Sequence, residues 1–144
     1  QTGPIYVHPK GIVKRTHFHT MSMYVNQLEE YIINTKTTGS KLTYGKDSVS
    51  VIDAIVTVDK KGEKWAISLV NRHPSENLEC KVIMGDKLLN GIYKATILTG
   101  KTTDSFNDIE HPNRVEPKDL ELKFKNGIVN LPPHSLTIVH INDI

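Results

Sequence analysis

Leu120-Glu121-Leu122-Lys123-Phe124-Lys125-Asn126-Gly127-Ile128-Val129-Asn130-Leu131-Pro132-Pro133 carries a strand, a tight turn, a second strand and a stop. Leu120, Leu122 and Phe124 alternate with Glu121, Lys123 and Lys125, so one face turns inward and the other meets water. Asn126 and Gly127 both tolerate positive φ, as a type I′ hairpin turn requires. Ile128–Leu131 is expected to be the return strand. Pro132-Pro133 then removes two backbone donors and ends it. Ser135 to Ile141 reads as the last strand.

The same period of two runs upstream. Tyr31 to Thr35 is rich in strand formers, and Val49 continues through Val58 as one longer run. Lys60-Lys61-Gly62 turns the chain into Trp65-Ala66-Ile67-Ser68-Leu69-Val70, where Trp65, Ile67 and Leu69 share a face. Leu78 to Met84 is a further strand. Ile92 to Leu98 is another, with Tyr93, Ala95 and Ile97 on a common face. That makes about eight short strands with turn signals between them and no βαβ alternation, the pattern of an all-β antiparallel sandwich.

One segment departs from this period. From Gly11 to about Leu28, Phe18, Met21, Val25 and Leu28 recur at three- and four-residue spacing, which predicts a helix. Pro9 biases His8 away from the α region and keeps the helix from starting earlier. A lone amphipathic helix must bury its stripe, either on the sandwich or as the last helix of a preceding α/β domain. The stretch from Thr99 to Lys118 has no strand pattern. A loop of that length is usually functional or pinned to another surface.

At 144 residues the chain reads as one core's worth of protein. Its net charge of +2 and scattered lysines give no reason to expect a nucleic-acid partner. No apolar run approaches the ~20 residues that span a bilayer, so no membrane partner is expected. Cys80 has no second cysteine to pair with and reads as a small packing residue. Gln1-Thr2-Gly3-Pro4, without an initiator Met, reads as the start of an excised segment. The lack of a signal peptide therefore says little about localisation.

Candidate chemistry is sparse. Glu29 with Glu30, Glu76 with Glu79, and Asp119 with Glu121 are the local carboxylate pairs, and none has the setting of an acid/base couple. His17 and His19 would share a metal on a strand, but at i and i+2 on a helix they diverge. No catalytic, cofactor-binding or metal residue is therefore assigned, and no cofactor is implied. Asn71, Arg72 and His73 end a core strand. They read first as groups that satisfy loop backbone and second as a contact with another domain or with a substrate arm. Glu110 and Arg114 are expected to pair and pin the long loop. Tyr6, Tyr44 and Phe106 lie outside the clearest strands and are the candidate rings for a carbohydrate-binding module, the alternative role.

Four stretches in order carry a family resemblance: His8-Pro9-Lys10-Gly11-Ile12-Val13; Val51-Ile52-Asp53-Ala54-Ile55 with Ser68-Leu69-Val70-Asn71-Arg72-His73-Pro74; Asn107-Asp108-Ile109-Glu110-His111-Pro112-Asn113-Arg114-Val115; and Leu131-Pro132-Pro133-His134-Ser135. Together they resemble the C-terminal β-sandwich domain of the α-L-arabinofuranosidases of glycoside hydrolase family 51. Asp108 and Ile109 replace the family's small hydroxyl and aromatic residues, and the connection from Met84 to Asn90 is short. The resemblance implies a jelly-roll sandwich preceded by a (β/α)8 barrel that holds both catalytic glutamates of a retaining glycosidase. Neither glutamate position falls in this chain. It also implies that residues 1–28 are the end of the barrel domain, a loop and its last helix, with the sandwich over 29–144. The implied role is a non-catalytic accessory domain of an enzyme, cytoplasmic or exported, acting on terminal arabinofuranose of arabinoxylan or arabinan. Its implied partner is the barrel, through His8, Phe18, Met21, Arg72, Asn107, Glu110 and Arg114, and homo-oligomer assembly is a further possible role. Family sandwiches also take in chain from before the barrel, so one sheet edge is expected to stand open here.

Overall fold

A computed structural model describes residues 3–142. Gln1, Thr2, Asp143 and Ile144 lie outside them, and with Gln1 and Thr2 half of the expected excised start. The described chain opens with a hairpin, β1 (Ile5–His8) and β2 (Gly11–Lys14), followed by α1 (Thr16–Gln27). Next come β3 (Tyr31–Ile33), β4 (Lys41–Tyr44), β5 (Asp47–Ser50), β6 (Ile52–Val58) and β7 (Lys64–Asn71). The short β8 (Leu78–Lys81), β9 (Ile83–Met84) and β10 (Lys87–Leu88) precede β11 (Gly91–Leu98), β12 (Lys118–Phe124), β13 (Ile128–Leu131) and β14 (Ser135–Asn142). Every paired strand is antiparallel.

One sheet organises the rest, in the order β12-β11-β14-β7-β6-β3. Alternation along β7 decides what lies on each side. Ile67 and Leu69 point with Ala95, Phe124, Val139 and Ile141 into the main core, capped by Val129 and Leu131 of β13 and by Leu89. Trp65 packs at the rim of that core and donates its indole N–H to the Gly62 carbonyl, 3.1 Å away. Ala66 and Ser68 face the other way. Their small side chains let α1 approach the sheet: Met23 packs with Ala66, Leu136 and Ile138, and Ser68 Oγ lies 3.2 Å from Tyr24 Oη. The helix thus buries its inner stripe on the sandwich.

The second layer is fragmentary. It consists of the pairs β8–β13 and β9–β10, with the β4–β5 hairpin set apart. The expected turn forms: Asn126 has φ 51° and Gly127 φ 77°, and Lys125 and Ile128 exchange both backbone bonds. The return strand does not follow β12, however. After that single bridge, β13 leaves the large sheet and pairs with β8, so the turn is a corner between layers. Gly127 fixes the corner by donating to Leu89 O and accepting from Val82 N, and a Cβ there would meet Val82 O at 2.6 Å.

Three more expectations need correction. The helix begins at Thr16, not Gly11, because Gly11–Lys14 is a strand across from Ile5–His8; Gly11 has φ 147°, and buried Val13 is β-branched. The Val49–Val58 run is two strands, broken at buried Val51: β5 pairs with β4, a hairpin the sequence reading missed, and β6 with β7. The Leu78–Met84 run breaks at Val82, whose N–H goes to Gly127 instead of a ladder partner.

Candidate functional site

The hairpin and the helix α1 each expose large apolar side chains. Ile5 pairs with Lys14 and Val7 with Ile12, so all four side chains share the outer face of the hairpin. Val7 is 72% exposed and Ile12 64%. Beyond them the helix exposes His17, Met21 and Val25, four residues apart, with Val25 81% exposed. Phe18 is half-buried beneath Lys14, whose Nζ lies 5.3 Å from its ring centroid. Ile5, Val7 and Ile12 were missed from sequence because they were read as approach to a helix or as helix. Recognising the hairpin would have put them on one face.

The long loop is bound to this unit. Buried Asn107 donates to Lys14 O and Val115 O, each at 2.8 Å, and accepts from Val115 N at 2.7 Å. Its amide therefore joins β2 to the loop inside the chain. The expected Glu110–Arg114 pair is absent. Arg114 instead donates to Asp108 Oδ2 at 3.0 Å and to Phe106 O. Asp108 also takes the backbone N–H groups of Glu110 and His111, an Asx turn that leaves Glu110 exposed. Partial burial works to raise the Asp108 pKa, but the His111 N–H and the Arg114 guanidinium outweigh it and hold the carboxyl below its usual value. Tyr6, Arg15, His17, Phe106 and Asp108 line a cleft of about 420 Å³ between loop and helix.

At the end of β7, Asn71 and His73 satisfy backbone. Asn71 Nδ2 lies 2.9 Å from Glu76 O, 3.1 Å from Leu131 O and 2.9 Å from Pro132 O, and Asn71 Oδ1 accepts from His73 N. Arg72 pairs with Asp53 at 2.6 Å and donates to Ser50 O. The His134 ring sits between the carbonyls of Pro74 and Gly100. The motif after β13 is thus a clasp on two loops.

The carboxylate pairs stay apart from any enclosed site. Asp119 accepts from Thr96 Oγ1 on a solvated sheet face, and Glu121 sits across from Lys94. His17 and His19 lie on the helix, and among the described residues no three His, Cys, Asp or Glu side chains gather as a metal set. Burial pushes the Cys80 thiol pKa up, away from nucleophilic form. Of the candidate rings, half-buried Tyr6 and exposed Phe106 line the cleft between loop and helix, and exposed Tyr44 sits at the end of β4 in the β4–β5 hairpin. Arg15 and Arg114 lie over the Tyr6 and Phe106 rings.

Between β8 and the extended segment 35–40 runs a groove of about 460 Å³, floored by Ile52, Ala54 and Val56 of β6. β8 pairs only with β13, so its other edge is open toward that groove.

Residues 1–135 match the family described as the α-L-arabinofuranosidase C-terminal domain. The chain belongs to that family. Its fold is also that of solved family 51 enzymes. The thermostable α-L-arabinofuranosidase of Thermotoga petrophila RKU-1 superposes with a TM-score of 0.83 at 19% identity, covering 97% of this chain and 31% of that one. The Thermotoga maritima enzyme, solved in complex with arabinose, gives 0.78 at 20% identity over 97% of this chain and 31% of its own. The Bifidobacterium longum family 51 enzyme gives 0.80 at 21%, over 97% and 27%. The chain thus spans about a third of the length of the enzymes it resembles. No curated protein matches it. As a family member, it is a C-terminal sandwich domain, the class its alternating strands and motifs pointed to.

Proposed function

We propose that this C-terminal domain is a non-catalytic accessory to an α-L-arabinofuranosidase and buttresses the enzyme's (β/α)8 barrel. The observation that carries this reading is the exposure of Ile5, Val7 and Ile12 on the hairpin and of Met21 and Val25 on the helix, uncovered although each large side chain would gain roughly 1.5–3 kcal/mol on burial. Residues 1–28 are then the loop and last helix of the barrel domain, and 29–144 the sandwich. The helix binds both ways: Met23 and Tyr24 to the sandwich, Met21 and Val25 to the barrel. His8, Phe18, Arg72, Glu110 and Arg114 border the contact, and Asn107 positions the loop from within. The two glutamates of the retaining mechanism come from the barrel, and terminal arabinofuranose of arabinoxylan or arabinan is the substrate. The groove beside β8 receives chain from before the barrel, which completes the second layer.

The test is a pair of assays on the purified 144-residue chain. It is expected to release no arabinose from an aryl α-L-arabinofuranoside or from arabinoxylan, and to bind neither arabinan nor xylan. Turnover would overturn the non-catalytic role. Micromolar glycan binding without turnover would favour a carbohydrate-binding module.

A further inference from the structure

The docking face has a charge as well as an apolar centre. Residues 1–28 hold three of the chain's eighteen basic side chains, Lys10, Lys14 and Arg15, and none of its sixteen acidic ones. His8, His17 and His19 lie in the same stretch. The chain's whole positive excess is therefore concentrated in the hairpin and helix, and the remainder is slightly acidic.

The fold puts that charge beside the uncovered apolar residues. Lys14 shares the outer hairpin face with Ile5, Val7 and Ile12, and Lys10 is exposed at the turn that joins the two strands. Among the described residues neither Lys10 nor Lys14 makes an ion pair. The Asp108 oxygens accept from Arg114 and two backbone N–H groups and lie against the His111 ring. Glu116 acts on His19, on the inner part of the unit.

We infer that the barrel surface received by this face is acidic at its rim, with carboxylates placed against Lys10 and Lys14. The inference rests on the docking role proposed above and adds the chemistry of the partner. An apolar centre with complementary charge at the edge supplies affinity from the first and register from the second. A neutral or basic rim would leave uncompensated cations at the border of a desolvated patch.

The test uses the full-length protein that carries this domain, with thermal unfolding followed at about 20 mM and about 500 mM salt. Each shift is taken relative to the same substitution in the 144-residue chain. Lys10→Glu with Lys14→Glu is expected to lower the transition by about 3–5 °C at low salt, with much of the loss gone at high salt. Lys123→Glu with Lys125→Glu, on the far edge strand, is the control. Val7→Asp with Val25→Asp probes docking itself and is expected to be damaging at both salt concentrations. A loss from the valine pair, with the Lys10/Lys14 pair no worse than control, would overturn the acidic rim and leave the docking role standing. No loss from either pair would overturn both.

Discussion

Asn71 shows how one polar side chain holds two layers together. It is 1% exposed, and its amide serves three carbonyls, two of them at the end of β13. Asn71→Ala leaves buried carbonyls without donors and is expected to cost about 2–3 kcal/mol. A urea midpoint within error of the parent would contradict that. The Asn71-Arg72-His73 motif was visible in the sequence; that Asn71 reaches sixty residues ahead was not, because a side chain's tertiary partner leaves no local signal. His19 gives the pH prediction. Burial, and after it Lys14, lowers its pKa against an opposing pull from Glu116, and its buried Nε2 has no hydrogen-bond partner among the described residues. The folded state therefore favours neutral imidazole. This contribution is complete above the ordinary histidine value and is lost as pH falls through the lowered one. Between about pH 7.5 and about pH 5.5 the native chain is expected to lose more of its urea midpoint than His19→Gln does. Equal losses would refute this.

At the scale of elements, α1 has two faces with different duties. Met23 is 2% exposed against the sheet, whereas Met21 is 58% exposed. In the chain alone Met23→Ala is expected to cost about 2–4 kcal/mol and Met21→Ala under about 0.5 kcal/mol. Similar costs from calorimetry would show that the helix is docked in another rotation. The strand β12 was legible because its faces alternate wet and dry, and β7, β11 and β14 because they are runs of strand-forming apolar residues, although α1 covers the second face of β7 and β14. The short elements were not. The strand β2 is counted with the helix, whose three- and four-residue spacing starts only at Phe18, against the signals of Gly11 and Val13, and β4–β5 offers only Leu42 as a half-buried apolar anchor. The turn at Asn126-Gly127 was foreseen down to its φ signs, but the layer switch that follows depends on Gly127 bonding to Leu89 and Val82. The barrel contact drew on Met21 and Phe18 from helical spacing and missed the hairpin face for the same reason that the strand was missed.

Seen whole, the molecule is a complete six-stranded sheet, a helix on one side and an unfinished layer on the other. The open edge of β8 beside an apolar groove is a template for a further strand. The chain alone is therefore expected to self-associate in light scattering at millimolar concentration, and a strictly monomeric species would count against an open edge. The role proposed above uses the same two surfaces, edge and hairpin–helix residues, to brace a larger protein. Thermal unfolding of the catalytic barrel, with residues 1–28 kept and the sandwich of residues 29–144 attached or removed, tests that most directly. The attached domain is expected to raise the barrel's melting temperature by about 10 °C or more and to merge the two transitions into one. A barrel that melts at the same temperature without it would contradict the account.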